Sequence, residues 1–418
     1  MKKILIPLLL LVAVIKTEAQ SSVFTVVDSL LIKGNYQLAL ELLTKSKPQT
    51  FELLEKAASM NQTIGNDTKA IELYKKALTF NNSESLKIKL GQVYNSAGLS
   101  SKAIEVYEDI IKKDSSNLLV LNNLGKLYLA FNKPKKAALV YNYLKNKDSL
   151  NPNYPYQLAE ALSKKNKLFK MGQSYLDAYN LDTLHIKSIY ELAKFFKKLK
   201  IKDSTMLFID KGLKIDSTNL NFLQLKANEL YFTKKFEEAI NYLTVLDSLN
   251  FKSVNTYEMF GMCYYNLEKL DLAEANFKKA LKIEYNNPKI LYRLASLAYE
   301  KKDAKQAKIY LSMSLFHSKP DIDKQHFLLA VIFKEENDLK NALINFEKAF
   351  QNNYNNYKAL FELANTSDVY YKDKKTALKH YKNYLARFER KDPKMTEFVE
   401  QRIDAIKKQY FIEGEIVD

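Results

Sequence analysis

Apolar residues recur along this chain at helical spacing, in pairs of short segments separated by a few polar residues. Within residues 118–151, Leu124 and Tyr128 lie on one helical face, and Tyr141 lies on the apolar face of the segment that follows. Pro134 stands where that second segment begins, a position that proline favours in helices. The pattern predicts two amphipathic helices joined by a tight turn. Such a hairpin cannot bury its apolar face alone and needs copies of itself on both sides.

The copies follow at a spacing of 34 residues. If residue 118 is place one of a unit, place eight is small, place eleven is aromatic or aliphatic, place twenty is usually alanine, and place twenty-four is aromatic or aliphatic. Met171 and Thr205 replace the alanine in two units. Two looser copies open the array around Ala39 and Ala70, which gives about eleven units, more than a repeat stack needs.

This pattern resembles the tetratricopeptide repeat, and the resemblance covers nearly the whole chain. The chain departs from the family because it has no tryptophan, and Leu121 and Leu291 stand at the usual tryptophan place. The resemblance implies an all-α, right-handed superhelical solenoid of about eleven helical hairpins. We expect the solenoid to span residues 20–390, a capping helix to span residues 391–411, and a tail to follow at residues 412–418.

Residues with special backbone preferences fall between the paired segments. Residues that tolerate a left-handed helix end recur at the turn after the first helix, at Gly34, Gly65, Gly98, Asn132 and Asn166. Residues that favour helix N-caps recur near the start of the second helix, at Asp67, Ser100, Asp203, Asp271 and Asp303. The backbone preferences of single residues therefore agree with the helix boundaries that the repeat predicts, and such agreement is typical of a sequence that specifies one fold.

Residues 1–19 have the composition of a secretory signal peptide. Two lysines precede an apolar run from Ile4 to Ile15, and the segment ends in the small residue Ala19, so we expect cleavage before Gln20. The alternative is a membrane anchor, but spanning a bilayer needs about 20 apolar residues. We therefore expect an exported protein of the periplasm or cell envelope, with no transmembrane segment in the mature chain.

The charge of the chain limits the possible partners, and its cysteine content limits the possible cross-links. The formal net charge is +17, and lysine supplies nearly all of it because only four of the 65 basic residues are arginine. Nucleic-acid sites favour arginine, so we expect no nucleic-acid partner. A lysine-rich surface that binds acidic envelope polymers or lipid headgroups remains the alternative function. The single cysteine, Cys263, excludes an intrachain disulfide, and we expect it to be a small packed residue.

Motifs for catalysis are missing from the sequence. The four histidines are scattered without metal-ligand spacing, and the chain contains neither a glycine-rich phosphate loop nor a nucleophile motif. The many acidic residues fall on predicted helix faces and caps. We therefore expect a non-enzyme with no catalytic residues, cofactor or metal; an exported enzyme whose site the repeats conceal is the least favoured hypothesis.

In the tetratricopeptide family, the first helix of each repeat lines a concave groove, into which places five, nine and twelve point. In the ten units from Phe51 onward, eight of these 30 places are aromatic, against 12% aromatic residues in the whole chain. Aromatic rings interleaved with lysine and amide side chains suit an extended peptide. The candidate groove residues are Asn122, Lys126, Tyr156, Tyr190, Lys194, Lys197, Gln224, Asn228, Tyr231, Tyr265, Tyr292 and Tyr299.

Two readings of these tyrosines remain open. Tyrosine is frequent in the chain, with 28 copies, so the rings could instead pack between repeats. If they face a groove, the resemblance implies an exported scaffold that binds partner proteins or extended peptides, in the assembly or maintenance of a cell-envelope complex. Salt separates this hypothesis from polymer binding, because contacts between exposed charges are screened at high ionic strength.

Overall fold

The computed structural model describes residues 23–318 and 322–415, and within these ranges the chain contains 23 helices and no strand. The signal peptide expected at residues 1–19 lies outside the described residues. The helices up to the middle of the chain are α1 (residues 23–32), α2 (Tyr36–Lys45), α3 (Phe51–Thr63), α4 (Asp67–Phe80), α5 (Glu84–Ser96), α6 (Ser100–Lys113), α7 (Leu118–Ala130), α8 (Pro134–Lys147), α9 (Asn153–Ser163), α10 (Leu168–Leu181), α11 (Ile186–Lys198) and α12 (Lys202–Ile215). The remaining helices are α13 (Leu220–Phe232), α14 (Phe236–Ser248), α15 (Val254–Asn266), α16 (Leu270–Ile283), α17 (Pro288–Glu300), α18 (Ala304–His317), α19 (Asp323–Glu335), α20 (Leu339–Asn352), α21 (Tyr357–Tyr370), α22 (Lys375–Phe388) and α23 (Pro393–Ile412).

The helices α1 to α22 follow one another as eleven hairpins, and α23 comes after the last of them. The described residues up to Phe208 form one compact unit and those from Ile209 onward form a second, with the boundary inside α12. Within each unit, helices pack against their neighbours along the chain, and the second helix of one hairpin contacts the first helix of the next. The predicted all-α solenoid of about eleven hairpins is confirmed.

The turn inside the hairpin has a left-handed residue at the same place in ten of the eleven hairpins, the exception being that of α21 and α22. The predicted Gly98 and Asn132 have φ of 73° and 51°, and the N–H of the residue after each bonds to a first-helix carbonyl five residues earlier. This is the closure of a Schellman motif, which requires a left-handed residue. The same left-handed φ also occurs at turn residues that are neither glycine nor asparagine, namely Lys200, Lys234, Glu268 and Lys302.

The predicted N-caps of the second helices are mostly wrong. Only Asp303 caps its helix, because its side chain accepts a 2.9 Å hydrogen bond from the Gln306 N–H. Four other predicted caps lie one or two residues inside the first turn: Asp67, Ser100, Asp203 and Asp271. The residue that closes the Schellman turn is also the N-cap, as at Asn66 and Leu99, which make no side-chain cap bond. The turn backbone therefore sets where the second helix begins.

Small side chains sit where the two helices of a hairpin approach most closely. A Cβ atom added to Gly125 at place eight would lie 2.8 Å from Cζ of Tyr141 at place twenty-four, and one added to Gly261 would lie 2.4 Å from the Phe277 ring. The alanines at place twenty are fully buried, namely Ala70, Ala103, Ala137, Ala239, Ala273, Ala307, Ala342 and Ala377. Thr205 is buried in place of this alanine, and its hydroxyl donates to the Ile201 carbonyl at 2.8 Å.

Joints between neighbouring hairpins contain a second kind of close contact. A Cβ atom on Gly172 in α10 would lie 2.2 Å from the ring of Phe195 in α11, and a Cβ atom on Gly212 would lie 2.3 Å from the ring of Phe222. At the joint between α18 and α19 the contact is polar, because Gln325 Nε2 donates to Ser314 Oγ at 3.3 Å. Each of these joints therefore pairs a large residue with a small one.

The last helix, α23, packs against α22. Its apolar residues Val399, Ile403 and Ile406 are buried. The Arg402 guanidinium donates two hydrogen bonds, of 2.7 and 2.9 Å, to the buried Asp368 carboxylate at the end of α21. Apolar packing and an ion pair thus both hold α23 to the preceding hairpin.

Two further expectations concern burial and the membrane. Cys263 is completely buried in α15, and this burial raises the pKa of its thiol to about 12, so its predicted role as a packed residue is confirmed. Across residues 23–318 and 322–415, the structure contains no helix with both the length and the apolar character needed to cross a membrane.

Candidate functional site

All twelve predicted groove residues lie on first helices of hairpins. In the first unit these are Asn122 and Lys126 on α7, Tyr156 on α9, and Tyr190, Lys194 and Lys197 on α11. In the second unit they are Gln224, Asn228 and Tyr231 on α13, Tyr265 on α15, and Tyr292 and Tyr299 on α17.

The six tyrosines are half-buried rather than fully exposed. The Tyr156 ring packs against Tyr175 and His185, with centroid distances of 5.7 and 5.4 Å. The Tyr231 ring lies 5.6 Å from that of Phe236. Each of these rings therefore takes part in packing within the chain and leaves only part of its surface accessible to a partner.

Tyrosine hydroxyls also connect consecutive first helices in the second unit. The Tyr265 hydroxyl donates to Glu300 Oε1 on α17 at 3.3 Å, and the Tyr299 hydroxyl donates to Glu335 on α19. The bond to the Glu335 carboxylate, together with burial, raises the pKa of Tyr299 to about 12. Both rings are thus fixed by the first helix of the following hairpin.

Ion pairs connect first helices in both units. Lys89 on α5 contacts Glu55 on α3 at 2.6 Å, and Lys334 on α19 contacts Glu362 on α21 at 2.7 Å. Lys194 pairs with Glu191 of its own helix at 2.9 Å and lies over the Tyr190 ring, 5.1 Å from the centroid. The predicted Lys194 is therefore already engaged within α11.

A cavity of about 270 Å³ lies between the first helices α5 and α7. Its polar wall consists of Gln92 and Asn95 from α5 and Asn123 and Lys126 from α7, and Tyr107 of α6 lies beneath them. Lys126 is exposed, and within the described part of the chain its ammonium group forms neither an ion pair nor a hydrogen bond. We call this the α5/α7 cavity.

The sequence predicted Lys126 as a groove residue but missed the three amides. The predicted Asn122 does not line the α5/α7 cavity, whereas its neighbour Asn123 does. Gln92 and Asn95 occupy places nine and twelve of their unit, so the rule that selected Lys126 could have found them. Asn123 occupies place six, which that rule does not include.

The α5/α7 cavity offers both hydrogen-bond donors and acceptors. Each amide side chain offers both donors and an acceptor, and the Lys126 ammonium is a donor only.

Among the residues that the structure describes, no three His, Cys, Asp or Glu side chains are grouped to hold a metal ion. Burial lowers the pKa of His185, His326 and His380, which favours their neutral form.

Residues 254–287 match the family model of the tetratricopeptide repeat. The fold is similar to those of yeast Tom70 (13% identity, 96% of this chain and 98% of that chain, TM-score 0.44) and Pseudomonas aeruginosa pilF (19% identity, 54% and 100%, TM-score 0.44). A tetratricopeptide repeat protein from Parabacteroides merdae is also similar (15% identity, 68% and 99%, TM-score 0.36). No curated protein matches the sequence.

The matched segment begins at Val254, the first residue of α15, and contains the hairpin of α15 and α16. Its place-eight Gly261 faces its place-twenty-four Phe277, and its turn residue Glu268 has φ of 57°. The same contact between a glycine and a ring recurs at Gly91 and Gly125, and a left-handed turn residue recurs in every other hairpin except that of α21 and α22. Residues 254–287 therefore form a tetratricopeptide repeat, and the chain around them consists of further helical hairpins at the same spacing.

Proposed function

We propose that this protein is an exported scaffold that binds partner proteins, or extended segments of them, on the first-helix side of its repeats. We further propose that it serves the assembly or maintenance of a cell-envelope complex. The repeat supports the general part of this proposal, because tetratricopeptide repeats are protein-interaction modules and the family is generally non-catalytic.

The observation that carries the proposal is the α5/α7 cavity. An extended peptide presents backbone N–H and C=O groups, and burying one of them without a partner costs about 1–3 kcal/mol. Gln92, Asn95 and Asn123 supply amides that can satisfy such groups along one wall. Lys126 adds a cation with no partner of its own among the described residues, which favours a peptide with a carboxylate at this point.

The proposed export rests on the composition of residues 1–19, where two lysines precede a short apolar run and a small residue. Protein isolated from its native host should begin at or near Gln20. Mass spectrometry that finds Met1 on the mature protein would contradict export by this route.

Binding at the α5/α7 cavity can be tested by photo-crosslinking in the native host. A benzophenone amino acid replaces Lys126 in one variant and Lys76 in a control, because Lys76 is exposed on the second helix α4. We expect a defined protein adduct from position 126 and none from position 76. Asn95→Ala with Asn123→Ala should reduce the adduct at least tenfold, and a circular dichroism melt should verify that this variant folds.

Two outcomes would contradict the proposal. Equal adducts from positions 126 and 76 would indicate random contact, and an unchanged adduct in the double amide variant would remove the role of the cavity. Salt tests the alternative of acidic-polymer binding, because the Debye length falls to about 3 Å at 1 M salt. A complex that persists at 1 M salt supports recognition in the cavity, and one that dissociates supports attraction to the lysine-rich surface.

A further inference from the structure

A second groove lies between second helices of the first unit. It runs between α8 and α10, the C-terminal half of α9 forms its floor, and its volume is about 560 Å³. Leu139 on α8 and Leu158 and Leu162 on α9 supply its apolar surface. We call it the α8/α10 groove. Because second helices line it, it is distinct from the α5/α7 cavity.

The dimensions of the α8/α10 groove match a short helix. Lys135 and Lys145 both line it and are ten residues apart on α8, so the groove is about 15 Å long at 1.5 Å per residue. The Leu139 side chain is 74% exposed at its opening, while Leu158 is buried at its base. The groove therefore offers apolar surface to a helix of about ten residues lying between α8 and α10.

The charges around the α8/α10 groove are unbalanced. Lys145 is neutralised by Asp177 of α10, at an Nζ–Oδ2 distance of 2.5 Å. Lys135, Lys165 and Lys170 also line the groove, and none of their ammonium groups forms an ion pair or a side-chain hydrogen bond within the described ranges. Three unpaired cations around an apolar floor favour an occupant with carboxylates beside its apolar face.

The neighbouring groove between α6 and α8 has a similar position but a different charge balance. Its volume is about 420 Å³, and Glu108 lines it beside Tyr128 and Lys136. The Glu108 carboxylate accepts hydrogen bonds from the Tyr128 hydroxyl at 2.6 Å and from Lys136 Nζ at 2.9 Å. This groove pairs its acidic group within the chain and is lined by one lysine without an ion pair among the described residues, Lys112, whereas the α8/α10 groove is lined by three.

We infer that the α8/α10 groove binds an acidic amphipathic helix of a partner protein. Apolar side chains of that helix would cover Leu139, Leu158 and Leu162, and its flanking carboxylates would reach Lys135, Lys165 and Lys170. An amphipathic helix laid into an apolar groove is a general mode of peptide recognition. The inference stands independently of the proposed function, because it uses the opposite set of helices.

A synthetic peptide can test this inference on the full chain. The probe is a fluorescein-labelled 18-residue peptide of Glu, Ala and Leu with its leucines on one helical face, and the control peptide has the same composition in scrambled order. In fluorescence anisotropy at physiological salt, the scrambled peptide should bind at least tenfold more weakly. Leu139→Glu with Lys170→Glu should weaken binding of the amphipathic peptide at least tenfold; both side chains are exposed, so the variant should fold.

A matched variant distinguishes binding in the α8/α10 groove from non-specific attraction of the acidic peptide to positive charge. Lys76→Glu with Lys112→Glu removes positive charge from second helices outside the α8/α10 groove, and it should change the affinity less than twofold. The inference is overturned if the amphipathic peptide does not bind, if both peptides bind equally, or if the two variants weaken binding equally. A third experiment uses vesicles of phosphatidylglycerol. If the protein binds these vesicles and not the peptide, and the groove variant abolishes vesicle binding, the groove is a lipid site and the inference is overturned.

Discussion

At the scale of single residues, glycine permits an aromatic ring to enter a joint between hairpins. Gly172 and Phe195 illustrate this, because the position of an added Cβ lies within 2.6 Å of three atoms of the Phe195 ring. Elsewhere an alanine at a tight crossing is accommodated by its neighbours, as at Ala159 and Ala193, which are completely buried. The joint between α10 and α11 has no such room.

Gly172→Ala should therefore destabilise the protein. Alanine favours the helix by about 1 kcal/mol relative to glycine, but the clash with Phe195 should outweigh this gain, since overpacking costs about 1–3 kcal/mol. Urea unfolding followed by circular dichroism should show a net loss of stability. Gly172→Ala combined with Phe195→Leu should lose less than the sum of the two single variants, and strict additivity would show that the two residues do not interact.

At the scale of the helical hairpin, the closing turn depends on a left-handed residue. Gly98 fills this position with φ of 73° and has nothing within 4 Å of the place where a Cβ would lie, so only the backbone conformation matters there. Lys302 occupies the equivalent position in a later hairpin with φ of 64°. A residue with a side chain is strained in this conformation, by about 1–2 kcal/mol.

Substitutions at these two turns should have opposite signs. Gly98→Ala should lower the free energy of unfolding by about 1 kcal/mol, because alanine disfavours a positive φ. Lys302→Gly should raise it by about 0.5 kcal/mol, since relief of the left-handed strain exceeds the added freedom of glycine in the unfolded chain. Thermal melts of both variants would test this pair, and a loss of stability in both would contradict the backbone argument.

At the scale of the whole molecule, buried and half-buried histidines connect stability to pH. Burial is the main cause that lowers the pKa of His185, His326 and His380; at His326 the hydrogen bond with Asn345 opposes this shift and the Lys348 ammonium adds to it. An unfolded histidine has a pKa of about 6.5. Below that pH the unfolded chain binds protons at these sites more readily than the folded chain does, so stability must fall as pH falls.

We therefore expect the free energy of unfolding to decrease between about pH 7 and pH 5, the range in which unfolded histidines take up protons. His326→Gln should reduce this decrease, because the amide does not titrate. The His326 ring is buried and its Nδ1 lies 2.9 Å from Asn345 Oδ1, a contact that the glutamine amide can replace in part. Urea unfolding at several pH values would measure the effect, and a flat profile for the unaltered protein would refute it.

The sequence predicted the hairpins well because apolar periodicity is a local property. It predicted the turns at Gly98 and Asn132 for the same reason, but it could not identify Lys200 or Glu268 as left-handed residues. There the hydrogen bonds of the turn impose the conformation, and the residue type gives no sign of it. Four of the five predicted N-caps were wrong because the same turn determines where the second helix starts.

The candidate site was less predictable because it depends on neighbouring hairpins. Lys126 was identified from its place in the repeat, whereas Asn123 enters the α5/α7 cavity beside the amides of a different hairpin. The half-burial of Tyr156 and Tyr231 likewise comes from rings elsewhere in the chain, which a single unit does not reveal. The groove assignment of the tyrosines stays a prediction.

The paired large and small residues at the joints bear on how such an array can change over evolutionary time. Duplication or loss of one 34-residue unit preserves every turn, so the repeat spacing by itself would tolerate changes in length. Phe195, however, fits only beside Gly172, and Phe222 only beside Gly212. Replacing either hairpin with one that lacks the glycine would place a side chain where the ring lies. The joints thus fix the order of neighbouring units, and recombination that separates a ring from its glycine would yield chains that stack poorly.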